Sequence, residues 1–426
     1  MARKLIFGRY DYAAFLCFAS YAMCSIIVPV SLVPIAKDLH FPLTEGGMGL
    51  GGILQIGRAV PMVAALILCG FFSGSWGKCR SLGFAMLCMA LGILLAAFSP
   101  VYGIMFSALM IAGFGEGIIE GLATPFVQDL HDEEPGRYIN FTHSFWSVGV
   151  VSIVLVAGAL LANGVSWRYI VGACGVLGLF PAFLLLFPSR KHPYPECGEI
   201  KKWTEVCGDF RNIVRIPRFW LFFAAMFFAG GGEFCLTFWC ASFIQVEYAA
   251  SAWAAGIGTA SFAGGMIVGR MGGGILIRQK RLKEFLVYTA LAATGISLFF
   301  PFLQSLSMLF VLLFFTGIAT GPFWPSVQSY CSTRMTVDNT MLFILLSAAG
   351  IPGCGFFTAV MGILGDHCGL RYSFFLIPFC FIVLAALIGI DWHQSRTAAV
   401  AGRTATSERF LAVLNLHSKQ LRTNET

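Results

Sequence analysis

The chain has 426 residues, of which 58% are hydrophobic and only 12% are charged. This composition excludes a soluble globular protein of that length and predicts an all-α polytopic membrane protein whose surroundings are the lipid bilayer. The formal net charge of +7 is explained by basic loops on one side of a membrane, so it does not indicate a nucleic-acid partner.

An apolar helix needs about 20 residues to cross the hydrocarbon core of a bilayer. Twelve segments of the chain have that length and character, and we expect them to be transmembrane helices. The predicted spans are 11–36, 46–73, 81–98, 101–128, 138–162 and 168–188, then 219–246, 251–277, 283–302, 306–332, 338–364 and 371–391.

Lys and Arg alternate between the predicted loops in the way that membrane insertion favours. With the N-terminus inside, the predicted outside segments contribute only Lys37, Arg168 and Arg371 of the 28 basic residues. We therefore expect both termini to be cytoplasmic. The expected organisation is an N-terminal six-helix half at 1–188, a basic cytoplasmic linker at 189–218, a C-terminal six-helix half at 219–391 and a cytoplasmic tail at 392–426.

Two six-helix halves of similar length suggest an internal repeat, as in many transporters. A shift of about 204 residues places Gly117 on Gly321 and Gly149 on Gly353, which is a weak signal when taken alone. It also brings the proline-containing fourth and tenth spans into approximate correspondence.

The fourth span contains two glutamates in an otherwise apolar run. Because they are four residues apart, Glu116 and Glu120 lie on one helix face. A carboxylate in hydrocarbon persists when it faces a polar cavity, meets a partner or takes up a proton. Next to this face, Gly113, Gly117 and Gly121 form a ridge on which another helix can pack closely.

Two halves of six spans each, joined by a basic central loop, resemble the major facilitator superfamily. Within that superfamily the chain is most similar to sugar permeases of the fucose/proton symporter type. Span four reads GIIEGLATPFV at 117–127 where that family has Gly-x-x-Glu-x-x-Ala-Asn-Pro-Phe-Val, and span five reads NFTHSFWSVG at 140–149 where the family has amides that meet sugar hydroxyls. Further similar stretches include Gly232-Glu233 in span seven and Phe323-Trp324-Pro325 in span ten.

The resemblance implies a binding site near the centre of the bundle. It places Asn140, His143 and Trp146 in span five and Trp324 in span ten among the residues that contact the substrate. Glu233 lies near the middle of span seven, and we expect it to line the same cavity. The aromatic rings could stack on a sugar ring.

Span one departs from the family pattern. The family has an aspartate four residues before a proline, whereas this chain has Ser25 four residues before Pro29. Since Ser25 cannot titrate, we assign proton coupling to Glu120, alone or with Glu116 or Glu233. Facilitated diffusion, with Glu120 only accepting hydrogen bonds from substrate hydroxyls, is the alternative.

Arg58 lies near the middle of span two, and Gln55 shares its face. The guanidinium could bind an anionic substrate group or pair with Glu116 in the cavity, or the pair could be purely structural. Arg270 lies nearer the end of span eight, where snorkelling or gate contacts would explain it.

The leading hypothesis is a monomeric secondary transporter of the cell membrane, or of the inner membrane in a bacterium, for a monosaccharide or sugar derivative, with protons as a possible second partner. A sugar acid or other small organic anion bound through Arg58 is an alternative substrate. A non-transporting sensor on the same fold is another alternative. An enzyme is disfavoured because the sequence shows no phosphate-binding loop, no metal-ligand set and no soluble domain, and we predict no cofactor and no metal.

Overall fold

A computed structural model of the chain describes residues 6–131, 135–188, 194, 203–277 and 281–395. In these ranges twelve helices are long and apolar enough to cross a membrane, which confirms the predicted number. We call them spans one to twelve. Their helices are Arg9–Val30, Met48–Trp76, Lys78–Ala97, Tyr102–Leu130, Pro135–Ala162, Trp167–Leu186, Pro217–Glu247, Ala252–Leu276, Leu282–Ser297, Leu306–Thr320 with Phe323–Ser332, Asn339–Cys368 and Leu370–Ser395.

Span one is shorter than predicted. It ends at Val30, directly after Pro29, and a separate helix, Leu32–Asp38, follows where the prediction had continued the span to residue 36. Proline has no N–H and its ring clashes with the carbonyl of the residue four positions earlier, so the helix weakens at this point. The carbonyl that loses its partner is that of Ser25.

The central linker contains a helix that the sequence analysis had not predicted. Trp203–Val214 is helical, and span seven begins at Pro217, a favourable first helical residue. Residues 189–193 and 195–202 of the linker and the predicted tail beyond residue 395 lie outside the described residues.

Span ten consists of two helices. The first ends at Thr320 and the second begins at Phe323, with Gly321 and Pro322 between them. The sequence analysis had predicted 306–332 as a single proline-containing span and had not located this break. Pro322 and Pro325, three residues apart, each remove a helical hydrogen bond, which explains why the helix divides here.

The glycine ridge of span four packs closely against another helix as predicted, and that helix is span two. A Cβ atom at Gly113 would lie 2.1 Å from the carbonyl oxygen of Arg58, and one at Gly117 would lie 2.0 Å from that of Met62. Both distances are far inside van der Waals contact. Only glycine therefore allows the backbones of spans two and four to approach this closely.

The same packing recurs in the second half. A Cβ atom at Gly317 would lie 2.1 Å from the carbonyl oxygen of Phe262, and one at Gly321 would lie 2.6 Å from that of Met266. A shift of about 204 residues relates Gly117 and Met62 of the first half to Gly321 and Met266 of the second. Structural contacts thus support the internal repeat that two glycine matches had only suggested.

Adding one methyl group to this ridge is expected to destabilise the protein. In a Gly117→Ala variant the new Cβ atom would collide with the Met62 carbonyl, and we expect a loss of about 1–3 kcal/mol of stability, measured as a lower thermal unfolding temperature in detergent. Gly103→Ala is the matched control, because a Cβ atom at Gly103 in the same span meets nothing within 4 Å. Equal effects of the two substitutions would contradict the close packing.

Candidate functional site

Five charged side chains lie away from the ends of the described spans. Two are arginines, Arg58 in span two and Arg270 in span eight, and three are glutamates, Glu116 and Glu120 in span four and Glu233 in span seven. Charges at this depth are rare and require partners, so they define the chemistry of the bundle interior.

Arg58 and Glu116 form a sealed ion pair. Arg58 Nε donates to Glu116 Oε2 at 2.7 Å, and Arg58 Nη2 donates to Oε1 of the same carboxylate. Their side chains are 2% and 1% exposed. The pairing foreseen from the sequence is therefore present, in the bidentate geometry that favours Arg over Lys.

The guanidinium of Arg58 also holds span one. Its Nη1 donates to the Ser25 carbonyl at 3.0 Å, and its Nη2 donates to the Cys24 carbonyl at 2.8 Å. The Ser25 carbonyl is the one that Pro29 leaves without a helical N–H donor. Arg58 thus supplies the missing donor and connects spans one, two and four through a single side chain.

Arg270 forms a second, more open ion pair. Its Nη2 atom lies 3.3 Å from Glu233 Oε1, with the two side chains 29% and 13% exposed. Its guanidinium carbon lies 5.5 Å from the centre of the Trp146 ring, in the geometry of a cation–π contact. Since Trp146 belongs to the first half, Arg270 reaches the interface between the halves and does not snorkel to the span end.

Arg270 also donates to a carbonyl that a proline leaves free. Its Nε bonds to the Gly321 carbonyl at 2.9 Å. Pro325, four residues further along, has no N–H to donate to that carbonyl. Each arginine thus joins a glutamate on one span to an unsatisfied carbonyl on another.

Glu120 has a hydroxyl as its described partner. Tyr21 of span one donates to Glu120 Oε2 at a long 3.4 Å, and the glutamate is half-buried while Tyr21 is buried. The arginine in the same half, Arg58, is occupied by Glu116. Glu120 is therefore the carboxyl of the interior to which the described ion pairs give no cation.

His143 contacts the residue that replaces the family's asparagine. Its Nε2 lies 2.8 Å from the Thr124 hydroxyl, and its ring lies 4.5 Å from the Phe18 ring. Thr124 and His143, two of the three positions at which the chain departs from the family's amides, are thus hydrogen-bonded to each other. The side chain of Asn140 lies outside the described parts of the structure.

The other two predicted residues lie on surfaces that meet span eleven. Gln55 is buried, and the backbone oxygen of Gln55 lies near Gly355 of that span. Trp324 is half-buried against Gly350, where an added Cβ atom would lie 2.4 Å from its indole ring.

A small cavity lies between the halves beside this site. Trp146 lines it from span five, which connects it to the Arg270 contact. The complete lining is Trp146, Ser147, Val150, Thr237, Thr259, Phe262, Ala263 and Met266.

Sequence reasoning missed two residues of this arrangement. Arg270 lies inside the predicted eighth span, and a charge at that position could have been flagged by the same rule that selected Arg58. Tyr21 had no comparable signal, because one tyrosine among 11 in an aromatic-rich chain is indistinguishable from a packing residue.

A twelve-helix bundle of two repeated halves with charged residues at its centre is an architecture that secondary transporters use. The sequence matches the Major Facilitator Superfamily over residues 13–340. The chain belongs to this superfamily, as the sequence resemblance had indicated.

Similar proteins have been described in bacteria. Protein TsgA of Salmonella paratyphi B is 25% identical over 179 residues, which cover 40% of this chain and 43% of TsgA. The match therefore spans less than half the length of that relative. An uncharacterised transporter of the same superfamily from Yersinia pestis is 25% identical over 365 residues, covering 83% of this chain and 89% of the relative.

Among solved structures, the fucose:proton symporter of E. coli superposes with a TM-score of 0.63. It is 18% identical, and the alignment covers 90% of this chain and 98% of the symporter. At this identity the similarity establishes the fold alone.

Breaking the sealed pair is expected to destabilise the protein strongly. A Glu116→Gln variant leaves the Arg58 charge buried without a counter-charge, and we expect a loss of about 3–5 kcal/mol, read as a large drop in the thermal unfolding temperature. Removing both charges in Arg58→Met/Glu116→Met should cost less than the sum of the two single changes. The control, Asp129→Asn, breaks the exposed pair of Asp129 with Lys78 and should stay within about 1 kcal/mol. Additive effects of the single changes would contradict the coupling.

Proposed function

We propose that the chain is a secondary active transporter of a small polar solute, a monosaccharide or sugar derivative, and that Glu120 couples its transport to protons. Transport proceeds by alternating access, in which the two halves rock around a central site. The protein works as a monomer in the cell membrane, with both termini in the cytoplasm.

A charge imbalance in the described interior carries the coupling proposal. Arg58 neutralises Glu116, and Arg270 neutralises Glu233. Glu120 is the third carboxyl, and its described hydrogen bond comes from the neutral Tyr21 hydroxyl. A bare carboxylate is strongly disfavoured in a dry interior. Glu120 therefore holds a proton in this state and loses it in a state that hydrates the site.

The surroundings of the cavity suit a hydroxylated solute. Trp146 offers an aromatic face. The hydroxyl groups of Thr237 and Thr259 donate to carbonyls of their own helices, so they remain able to accept hydrogen bonds from substrate hydroxyls.

The contacts between the halves support alternating access. Asp366 at the end of span eleven accepts hydrogen bonds from the N–H groups of Met48 at 2.8 Å and Gly49 at 2.7 Å. A carboxylate at these first N–H groups of span two also interacts favourably with the helix dipole. The two halves are thus fastened at the end of the bundle remote from the chain termini.

At the end of the bundle that carries the chain termini, the described ion pairs do not connect the two halves. The described ion pairs near that end, such as Lys78 with Asp129 and Arg218 with Asp391, each stay within one half. We infer that the structure represents a state closed at the end remote from the termini. Opening the other way would require Asp366 to release span two.

Replacing Glu120 by glutamine should separate coupling from transport. Glutamine keeps the shape and the hydrogen bonding but cannot ionise, so we expect Glu120→Gln to lose uphill accumulation while retaining exchange. The measurement uses proteoliposomes with an imposed pH gradient and a labelled solute selected by thermal-shift screening of neutral sugars and sugar acids.

Glu247→Gln is the control for this experiment, since Glu247 pairs with Arg371 at the far end of span seven. It should accumulate solute like the wild type. Undiminished uphill uptake by Glu120→Gln would refute the coupling assignment. Solute binding without any flux in the wild type would instead support a sensor, and conversion of the solute into a product would support an enzyme.

A further inference from the structure

The two interior arginines make the same kinds of contact but differ in availability. Arg58 is 2% exposed, and its Nε, Nη1 and Nη2 atoms all donate at 3.0 Å or less to spans one and four. Arg270 is 29% exposed, and Nε and Nη2 are its atoms with described hydrogen bonds. Among the described residues nothing occupies Nη1, so the Nη1–Nη2 edge can accept another anion.

Glu233 already contacts this edge of the guanidinium, but its hydrogen bond to Arg270 is long. Arg270 Nη2 and Glu233 Oε1 are 3.3 Å apart, whereas charge-assisted bonds are usually about 2.7–2.9 Å long. The other carboxylate oxygen, Glu233 Oε2, is buried and has no hydrogen-bond partner in the described structure. A buried acceptor without a partner carries a desolvation cost, so the Arg270–Glu233 pair is less stable than a fully hydrogen-bonded pair.

Arg270 lies where a ligand bound to it would contact both halves. Its Nε is held by the Gly321 carbonyl, which fixes the guanidinium without using its outer edge. The Trp146 ring lies on one side, and the same ring lines the cavity between the halves. A ligand on this edge would therefore contact an arginine of the second half and an aromatic ring of the first.

We propose that Arg270 binds the carboxylate of a small hydroxylated monocarboxylate in place of Glu233, with the rest of the substrate lying against Trp146. This inference rests on the proposed transport function and specifies its substrate class. The ligand replaces one carboxylate by another at a single guanidinium, so a monoanion preserves the local charge where a dianion would not. The anion site is therefore Arg270 and not Arg58, as one alternative from the sequence had it, because the donors of Arg58 are occupied.

Displacement of Glu233 from Arg270 by the ligand carboxylate changes the protonation of Glu233. Once it loses Arg270, its carboxylate has no cation in a desolvated site, and such a charge is costly. Glu233 then takes up one proton from water, so substrate binding weakens as the pH rises. The other titratable groups near this site are Cys354 of span eleven, His143 of span five and Glu120 of span four. Tyr21 of span one contacts Glu120.

The test uses the purified full-length protein and pairs of ligands that differ by one group. Gluconate and sorbitol form one pair, and glycerate and glycerol form the other, each with a carboxylate in place of a hydroxymethyl group. Binding is measured by thermal shift and calorimetry across a range of pH. We expect at least one carboxylate to bind while its alcohol does not, with an affinity that falls as the pH rises.

Two variants act in opposite directions. Arg270→Gln should weaken carboxylate binding by at least about tenfold, because the charge-assisted bonds are lost. Glu233→Gln removes the competing carboxylate, so it should strengthen binding by about tenfold and abolish its dependence on pH. A purely structural role for the pair would not produce this gain. The control is Arg334→Gln, which leaves Asp391 paired with Arg218 and should bind like the wild type.

Three results would overturn the inference: alcohols that bind as well as their carboxylates, an Arg270→Gln variant that binds carboxylate normally, or no carboxylate binding to either the wild type or Glu233→Gln. Failure of the proposed function looks different. Carboxylate binding through Arg270 without solute exchange in proteoliposomes would refute transport alone, whereas exchange of neutral solutes without Arg270-dependent binding would refute this inference alone.

Discussion

The structure of the bundle depends on the high free-energy cost of a polar group that has no hydrogen-bond partner in an apolar interior. The sealed contact of Arg58 with Glu116 satisfies three needs at once: a guanidinium, a carboxylate, and a span-one carbonyl that Pro29 deprives of its N–H donor. Each group would be costly if left alone, since the two side chains are almost fully buried and solvent cannot replace a missing partner. The proline bend in span one and the charges in spans two and four therefore require one another.

The second half uses the same chemistry with the partners exchanged. Arg58 takes its acid from span four and its carbonyl from span one. Arg270 takes its acid, Glu233, from span seven and its carbonyl, Gly321, from span ten, the counterparts of spans one and four in the repeat. The first arrangement is enclosed and short, whereas the second is longer and partly exposed. A transporter needs both, since one part must hold its shape while another exchanges partners during the cycle.

Close helix packing gives the two halves their rigidity. The glycine ridges of spans four and ten bring them against spans two and eight at distances that no larger residue allows. Close packing also joins the halves: a Cβ atom at Gly362 of span eleven would lie 2.3 Å from the Met48 carbonyl oxygen of span two, and one at Gly256 of span eight would lie 2.6 Å from the Val154 carbonyl oxygen of span five. Asp366 adds hydrogen bonds from the first N–H groups of span two. The halves therefore meet through both backbone packing and hydrogen bonds.

The sequence by itself determined the twelve spans, because apolar length is a local property that the bilayer imposes on each segment. It also determined the glycine ridge and selected Arg58 and the three interior glutamates, since a buried charge stands out in an apolar run. Only the tertiary structure decided which charge meets which partner. Arg58 is sealed and Arg270 is open because of contacts between segments far apart in the chain, including the carbonyls freed by Pro29 and Pro325. No local pattern encodes such a contact, and so Arg270 looked like a residue of a span end until the helices were assembled.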